Sequence, residues 1–418
     1  MFTSIEVRHY KSLRRITVQL RPFNILIGPN ASGKSSLLDV FEFLQDALDT
    51  DVVTAVHKRA NTLRELVWKH EDAEHGFEFA IEAEIPQKLH FNGYNQVRYE
   101  VGIGLDEQTA EIAVVGENLW LISEKQRKPS PTLQRTLFPM ELEDDRIVHP
   151  SKTKTPSGYR LVVRKVSQGG NDYFRSENTG WNITFRLSQK RLALSGLPED
   201  ADRFPIALWF REFLRTGVET LRLNSLAMRR PCPAEAPRIF QPDGSNLPKM
   251  IFILKKEHPQ RFEWWIGHLQ TMLEDVADVL VHERPEDRSL YLAVRYRNGV
   301  LVPSWALSDG TLRLLALTLL AYLPPKERVF LIEEPENGIH PKAVESVFQA
   351  LSSVYEGQVF LATHSPLFMA LARPSDLLVF GKTLSGATDI VRGDEHPALQ
   401  EWRAGQPLDV LFASGVLG

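Results

Sequence analysis

One octapeptide limits the choice of fold more than anything else in the chain. Gly28-Pro29-Asn30-Ala31-Ser32-Gly33-Lys34-Ser35 fits G-x-x-x-x-G-K-[ST] without a mismatch. An apolar run, Phe23 to Ile27, precedes it, and Leu37, Leu38, Phe41, Leu44 and Leu48 follow at helical spacing. The order is strand, glycine-rich loop, helix, with the helix expected to start near Gly33. Such a loop wraps a polyphosphate with backbone N–H groups, so glycine sits where a Cβ would block approach or where φ must be positive. Lys34 supplies a mobile cation for the β and γ oxygens, and Ser35 a hydroxyl ligand for Mg²⁺. The helix start points its positive dipole end at the anion. Gly28 to Ser35, with the adjoining Ser36, are assigned to nucleotide binding.

Two later segments carry the complementary chemistry. Val329-Phe330-Leu331-Ile332-Glu333-Glu334-Pro335 reads as an apolar strand delivering two carboxylates at its C-terminal end. Open α/β sheets bind ligands at that edge, so these acids can reach a metal and a phosphate. Neighbouring strand residues face opposite ways, which gives the two acids different tasks. Glu333 is expected to hold Mg²⁺ through water, and Glu334 to orient and deprotonate the attacking water. Val359-Phe360-Leu361-Ala362-Thr363-His364-Ser365-Pro366 is a second buried strand ending in a polar cluster. From there His364 can hydrogen-bond a γ-phosphate or the attacking water. Leu307-Ser308-Asp309-Gly310-Thr311-Leu312-Arg313 opens a helix 26 residues before Glu334. Ser308 suits an N-cap, and Gly310 lets a phosphate approach the helix start.

Composition sets the outer bounds. The 418 residues are 43% apolar and 24% charged, the profile of a soluble globular protein of two to four lobes. Lys plus Arg is 49 against 53 Asp plus Glu, a net charge of −4, which does not mark a nucleic-acid coat protein. A single cysteine, Cys232, excludes an intramolecular disulfide framework and a cysteine-based zinc site. No stretch approaches the ~18 apolar residues of a membrane span. The N-terminus lacks the layout of a secretion signal, so a cytoplasmic protein without membrane contact is expected. Residues from Phe77 onward alternate in strand fashion, Phe204 to Val281 reads as helical, and strands return at Leu290 to Tyr296. Helix and strand then alternate through Thr363, which implies a parallel sheet and an α/β fold.

Taken in order, the four motifs resemble an ABC-type AAA ATPase head of the SMC, RecF and OLD-like group, a P-loop NTPase with a β-rich lobe and a helical insertion. Val7-Arg8-His9-Tyr10-Lys11-Ser12-Leu13 is similar to the strand and turn these heads carry before the phosphate loop. Asp243-Gly244-Ser245-Asn246-Leu247 resembles a segment of the helical lobe. Glu334-Pro335-Glu336-Asn337-Gly338-Ile339-His340-Pro341 is similar to the acid strand and D-loop of the OLD-like branch. The resemblance implies domains at 1–75 (phosphate-loop half of the core), 76–200 (β-rich lobe), 201–284 (helical lobe), 285–395 (second half of the core) and 396–418 (tail). It further implies Mg²⁺-dependent ATP hydrolysis by a head-to-tail homodimer or higher homo-oligomer. Two nucleotides lie between the heads, with Ser308 and Gly310 acting on the partner's nucleotide. Asp309 stands where Gly is commoner. The family's glutamine loop has no match: neither Gln45 nor Gln87 has the expected context.

Absences narrow the group. There is no long coiled coil, and only 54 residues follow His364, too few for the Toprim nuclease of OLD proteins. The resemblance therefore implies the ATPase subunit of a prokaryotic antiviral defence system with a separate nuclease or effector. An SMC- or RecF-like repair ATPase binding DNA directly and a non-catalytic nucleotide-gated scaffold are the alternatives. Lys152, Lys154, Arg160, Arg164 and Lys165 fit either a DNA-contacting stripe or a solvated hairpin face. Phe262, Trp264 and Trp265 fit helix core better than a stacking platform. Met228-Arg229-Arg230 is read as contacting a partner or nothing, and Asp376, Asp389 and Asp394 as solvated loop acids rather than a metal triad.

Overall fold

The computed structural model describes all residues except 71–75, 124–136, 151–153, 167–171, 325–326, 400–407, 409 and 411–418. The chain opens with the hairpin β1 (Phe2–Tyr10) and β2 (Leu13–Gln19), then β3 (Phe23–Ile27), α1 (Lys34–Asp49) and α2 (Val52–His57). Six strands follow: β4 (Phe77–Glu84), β5 (Gln96–Leu105), β6 (Ile112–Ile122), β7 (Tyr159–Val166), β8 (Asp172–Arg175) and β9 (Asn182–Phe185). Next come α3 (Pro205–Thr216), β10 (Val218–Leu221), α4 (Ser225–Met228), α5 (Leu247–Glu257), α6 (Pro259–Met272), and β11 (Val276–Glu283), β12 (Leu290–Tyr296) and β13 (Leu301–Pro303). The last stretch holds α7 (Asp309–Leu319), β14 (Arg328–Glu333), α8 (Pro341–Ser352), β15 (Gly357–Ala362), α9 (Pro366–Leu371), β16 (Leu377–Lys382) and β17 (Thr388–Arg392).

Among the described residues the strands form three sheets. An antiparallel sheet runs β2-β1-β4-β5-β6-β7-β8-β9, a central sheet runs β10-β14-β15-β3-β16-β17, and β11-β12-β13 stand apart. The central sheet is parallel except where β17 returns beside β16. Its strands are nearly continuous apolar runs because both faces are covered. Alternation sorts their side chains. Leu26, Leu331, Phe360 and Leu378 face the antiparallel sheet and α1, whereas Ile25, Ile27, Phe330, Ile332 and Leu361 face α5 to α8.

Helix α1 is buried on most of its circumference, which its sequence period alone does not require. Phe41 packs on Phe2 of the antiparallel sheet (5.0 Å between ring centroids) and on Phe360 of the central sheet (5.2 Å). Phe43 meets Phe77 at 5.3 Å. The helix that carries the phosphate loop is thus wedged between two sheets. Gln358, fully buried on β15, fastens them further. Its Oε1 accepts from the Phe2 amide (2.9 Å), and its Nε2 donates to the carbonyls of Phe2 and Arg21 (2.8 Å each).

Several expectations change. The stretch Phe204–Val281 is not wholly helical, because β10 adds an edge strand to the central sheet and β11 opens a hairpin with β12. In the four-residue β10 the apolar Val218 and Leu221 stand three apart, a spacing that fits a helix as well. The 75/76 boundary cuts through one sheet, since β1 pairs with β4, and 284/285 falls between the paired β11 and β12. Phe262 and Trp265 are core, with Trp265 Nε1 donating to Thr318 Oγ1 (3.0 Å), but Trp264 is exposed. Asp389 is not a solvated loop acid: it lies buried on β17 and accepts from the Met140 amide at 2.7 Å.

The basic run also turns inward. Lys152 lies outside the described residues, and Lys154 is exposed. Lys165 is fully buried, donating to Ser188 O (2.8 Å) beside Asp172. Arg164 bonds Asn118 and lies over the Trp120 ring, and Arg160 donates to Ser176 O and Thr179 O. Residues 160–165 therefore form no free cationic stripe. No helix among the described residues is long and apolar enough to cross a membrane.

Candidate nucleotide site

Register brings the motifs to one end of the central sheet. Glu333 on β14 lies opposite Ala362 on β15, which lies opposite Leu26 on β3. Each strand then runs into its motif: the acids, His364 and the phosphate loop. These residues line one cavity of about 440 Å³ that contains Ser32, Lys34, Ser35, Glu333, Glu334 and His364.

The loop conformation explains its glycines. Gly28 (φ 148°), Ala31 (φ 58°) and Gly33 (φ 107°) all have positive φ. A Cβ on Gly28 would lie 2.5 Å from Phe380 O, and one on Gly33 2.6 Å from Thr388 Oγ1. Both glycines are thus required by packing against β16 and β17 as well as by φ. α1 begins at Lys34, and its N-cap Gly33 offers no side chain to the first-turn amides, which have no carbonyl within the helix. Lys34 Nζ donates to the carbonyls of Gly28 (2.8 Å) and Pro29 (2.9 Å). Burial lowers its pKa, against the pull of Glu334 and Glu333.

Ser35 Oγ donates to Glu333 Oε2 at 3.1 Å. Glu334 is not a strand residue. It has φ 46°, and its amide donates to Ala362 O (2.8 Å), so a left-handed turn aims its carboxylate. The two acids therefore share one cavity, and strand alternation is not what separates their roles. His364 has its pKa lowered by burial and then by Lys34, with Glu334 and Glu336 acting in the opposite sense.

Five residues escaped the sequence reading in these roles. Glu336 Oε1 accepts from Thr363 Oγ1 (2.6 Å) and from the His364 amide (3.3 Å), while its buried Oε2 has no hydrogen-bond partner. Asn337 Nδ2 donates to Glu334 Oε2. Thr388 Oγ1 donates to Ser32 O (2.8 Å) and shares a hydrogen bond with Ser12 Oγ (3.0 Å), bracing the loop from β17. Lys11 and Ser12, from the β1–β2 turn, line the cavity. The motifs around Ser12 and from Glu334 to Pro341 offered a prior signal for Lys11, Ser12, Glu336 and Asn337; Thr388 depends on long-range packing alone. Gln45 donates to the carbonyls of Arg215 and Val218, and neither it nor Gln87 lines the cavity.

Ser308, Asp309 and Gly310 stand outside this cavity's lining. Ser308 caps α7 by accepting from the Thr311 amide (3.1 Å). A Cβ on Gly310 would lie 2.6 Å from Gly338 O, so in this chain that glycine admits the loop after the acid strand rather than a phosphate. Asp309 pairs with Arg229, which therefore has a contact within its own chain.

The residues fit a nucleotide with Mg²⁺. That fit rests on an uncapped helix start, a desolvated lysine, a buried Ser32 hydroxyl without a partner, and an oxygen pair of the kind a hard dication prefers. A family profile described as "AAA domain, putative AbiEii toxin, Type IV TA system" matches residues 23–370. The chain belongs to this AAA family. The AAA chain also resembles the SMC head in "Crystal structure of the SmcHead bound to the C-winged helix domain of ScpA". The TM-score is 0.51 at 14% identity, covering 93% of this chain and 97% of that one. The SMC head domain from Thermotoga maritima aligns with TM-score 0.40 at 11% identity over 94% and 98% of the two chains. No curated protein matches the AAA chain. Its fold is that of an ABC-type P-loop NTPase head.

Proposed function

We propose that this AAA protein is a Mg²⁺-dependent ATP hydrolase working as a cytoplasmic, nucleotide-gated dimeric switch. The observation that carries the reading is the convergence of Ser35, Glu333, Glu334 and His364 with Lys34 in one cavity. Lys34 leaves the Gly28 and Pro29 carbonyls to neutralise β- and γ-phosphate oxygens. Ser35, and Glu333 through water, would hold Mg²⁺, which would supply charge screening at the phosphates. Glu334 takes the proton of the attacking water as its oxygen bonds the γ-phosphorus and the bond to ADP breaks. His364, positioned by Glu336, hydrogen-bonds the γ-phosphate or that water. Ser308 at the start of α7 lies outside the cavity and is assigned to a second copy's nucleotide, while Gly310 lets α7 pack on Gly338.

Biologically, we assign the chain to a prokaryotic defence system in which a separate nuclease or effector does the damage. The family's description as a putative AbiEii toxin of a Type IV TA system supports the defence setting, and the separate effector is our own inference. Direct DNA binding has less support, because residues 160–165 are used within the chain. The scaffold alternative is disfavoured by the placement of Glu334 beside Lys34 and Ser35.

The test is Glu334→Gln, with Lys34→Ala as the blank for binding. Removing a general base slows hydrolysis by about 10²–10⁴, or about 3–5 kcal/mol of barrier. The variant should bind ATP, hydrolyse it at that reduced rate and accumulate as a dimer. Wild-type turnover by Glu334→Gln refutes the assignment of the base. Co-purification with a neighbouring effector tests the biological half.

A further inference from the structure

We propose that Arg229 is a positioning residue that makes the acidic signature segment acceptable to nucleotide phosphates presented by a second copy of this chain. The proposal rests on the head-to-tail reading above and deepens it. Its starting point is an electrostatic conflict. Asp309 occupies the first turn of α7, the end of the helix that would face a triphosphate, and its side chain is 59% exposed. A free carboxylate there would repel the phosphates that the first-turn amides attract.

The structure resolves the conflict within the chain. Arg229 Nη2 donates both to Leu307 O (3.0 Å) and to Asp309 Oδ1. One guanidinium therefore neutralises the carboxylate and ties it to the backbone just before the helix. Arg229 is itself held in place. Its amide donates to Ser225 O (3.1 Å), its carbonyl accepts from Ser304 Oγ (2.9 Å), and the preceding Met228 is fully buried. An arginine fixed at its backbone and spent on one carboxylate is a built charge compensator rather than a solvated surface cation. With the pair formed, Ser308 and the amides at the start of α7 face the partner without an opposing charge. Without Arg229, Asp309 becomes a repulsive element at that surface.

The experiment uses the full chain in the Glu334→Gln background and reads two quantities. ATP binding by the monomer is followed with a fluorescent ATP analogue, and ATP-dependent dimerisation by sedimentation. Arg229→Ala should weaken dimerisation at least about tenfold while leaving monomer ATP binding unchanged. Adding Asp309→Gly should restore the dimer, because the charge needing compensation has gone. A purely structural role for Arg229 would not be repaired by removing a surface acid. Normal dimerisation by Arg229→Ala overturns the proposal. So does a double variant as defective as the single one, or loss of monomer ATP binding. Failure of Glu334→Gln itself to dimerise with ATP overturns the head-to-tail reading, and this inference with it.

Discussion

His364 and Lys34 share a small cavity, and the Lys34 ammonium disfavours a charge on His364. Burial is the larger cause of the lowered His364 pKa, and the Lys34 ammonium is the second. In the free protein the imidazole should therefore titrate below its ordinary value of 6.5 and be neutral at pH 7. The sign follows directly: a nearby cation penalises imidazolium, so its removal raises the pKa. Histidine NMR of wild type and Lys34→Ala checks both halves. An unchanged or lower midpoint in Lys34→Ala contradicts the placement of these side chains. The neutral ring suits a hydrogen-bonding role beside a γ-phosphate, and Glu336 fixes the peptide from which it projects.

At the scale of elements, the phosphate loop is supported from outside its own strand and helix. β17 reaches it through Thr388, whose hydroxyl donates to Ser32 O, and Ser12 of the β1–β2 turn bonds that same hydroxyl. Thr388→Val keeps the shape of the side chain and removes these bonds. The loss of about 1 kcal/mol of loop stabilisation corresponds to about fivefold weaker ATP binding. Isothermal titration with a non-hydrolysable analogue measures it. Equal affinities would show that the loop holds its conformation without β17.

For the whole molecule, the contact between the two large sheets sets stability. Gln358→Leu strips partners from the buried amide and carbonyl of Phe2, at about 1–3 kcal/mol for each group left unsatisfied. Thermal unfolding should show a clear fall in midpoint, and an unchanged midpoint would mean the sheets are joined by apolar packing alone. The inward-turned arginines give a second expectation at this scale. Arg160→Gln with Arg164→Gln should lower the unfolding midpoint and leave DNA retention unchanged at any salt. A salt-dependent affinity for DNA that disappears in this variant would contradict the inward reading and revive direct DNA binding.

Much of the site was legible in the chain because its parts are local. The phosphate loop, the acid strand end and the Thr363–His364 strand end each occupy a few consecutive residues, and apolar runs before them mark buried parallel strands. The 309–319 helix, its Ser308 cap and the α/β order follow from the same short-range signals. What the sequence did not disclose depends on residues far apart becoming neighbours. The burial of Lys165, the bracing by Thr388, the Gln358 clasp and the Arg229–Asp309 pair all arise this way. The aim of Glu334 was hidden for a different reason: a left-handed φ of 46° at a non-glycine residue leaves no trace in composition. By itself the sequence determined the strand-loop-helix units and the polar residues that they carry to the candidate site. Only the tertiary structure decided which charges meet solvent and which are cancelled within the chain, because burial and ion pairing are properties of packed elements and not of their order.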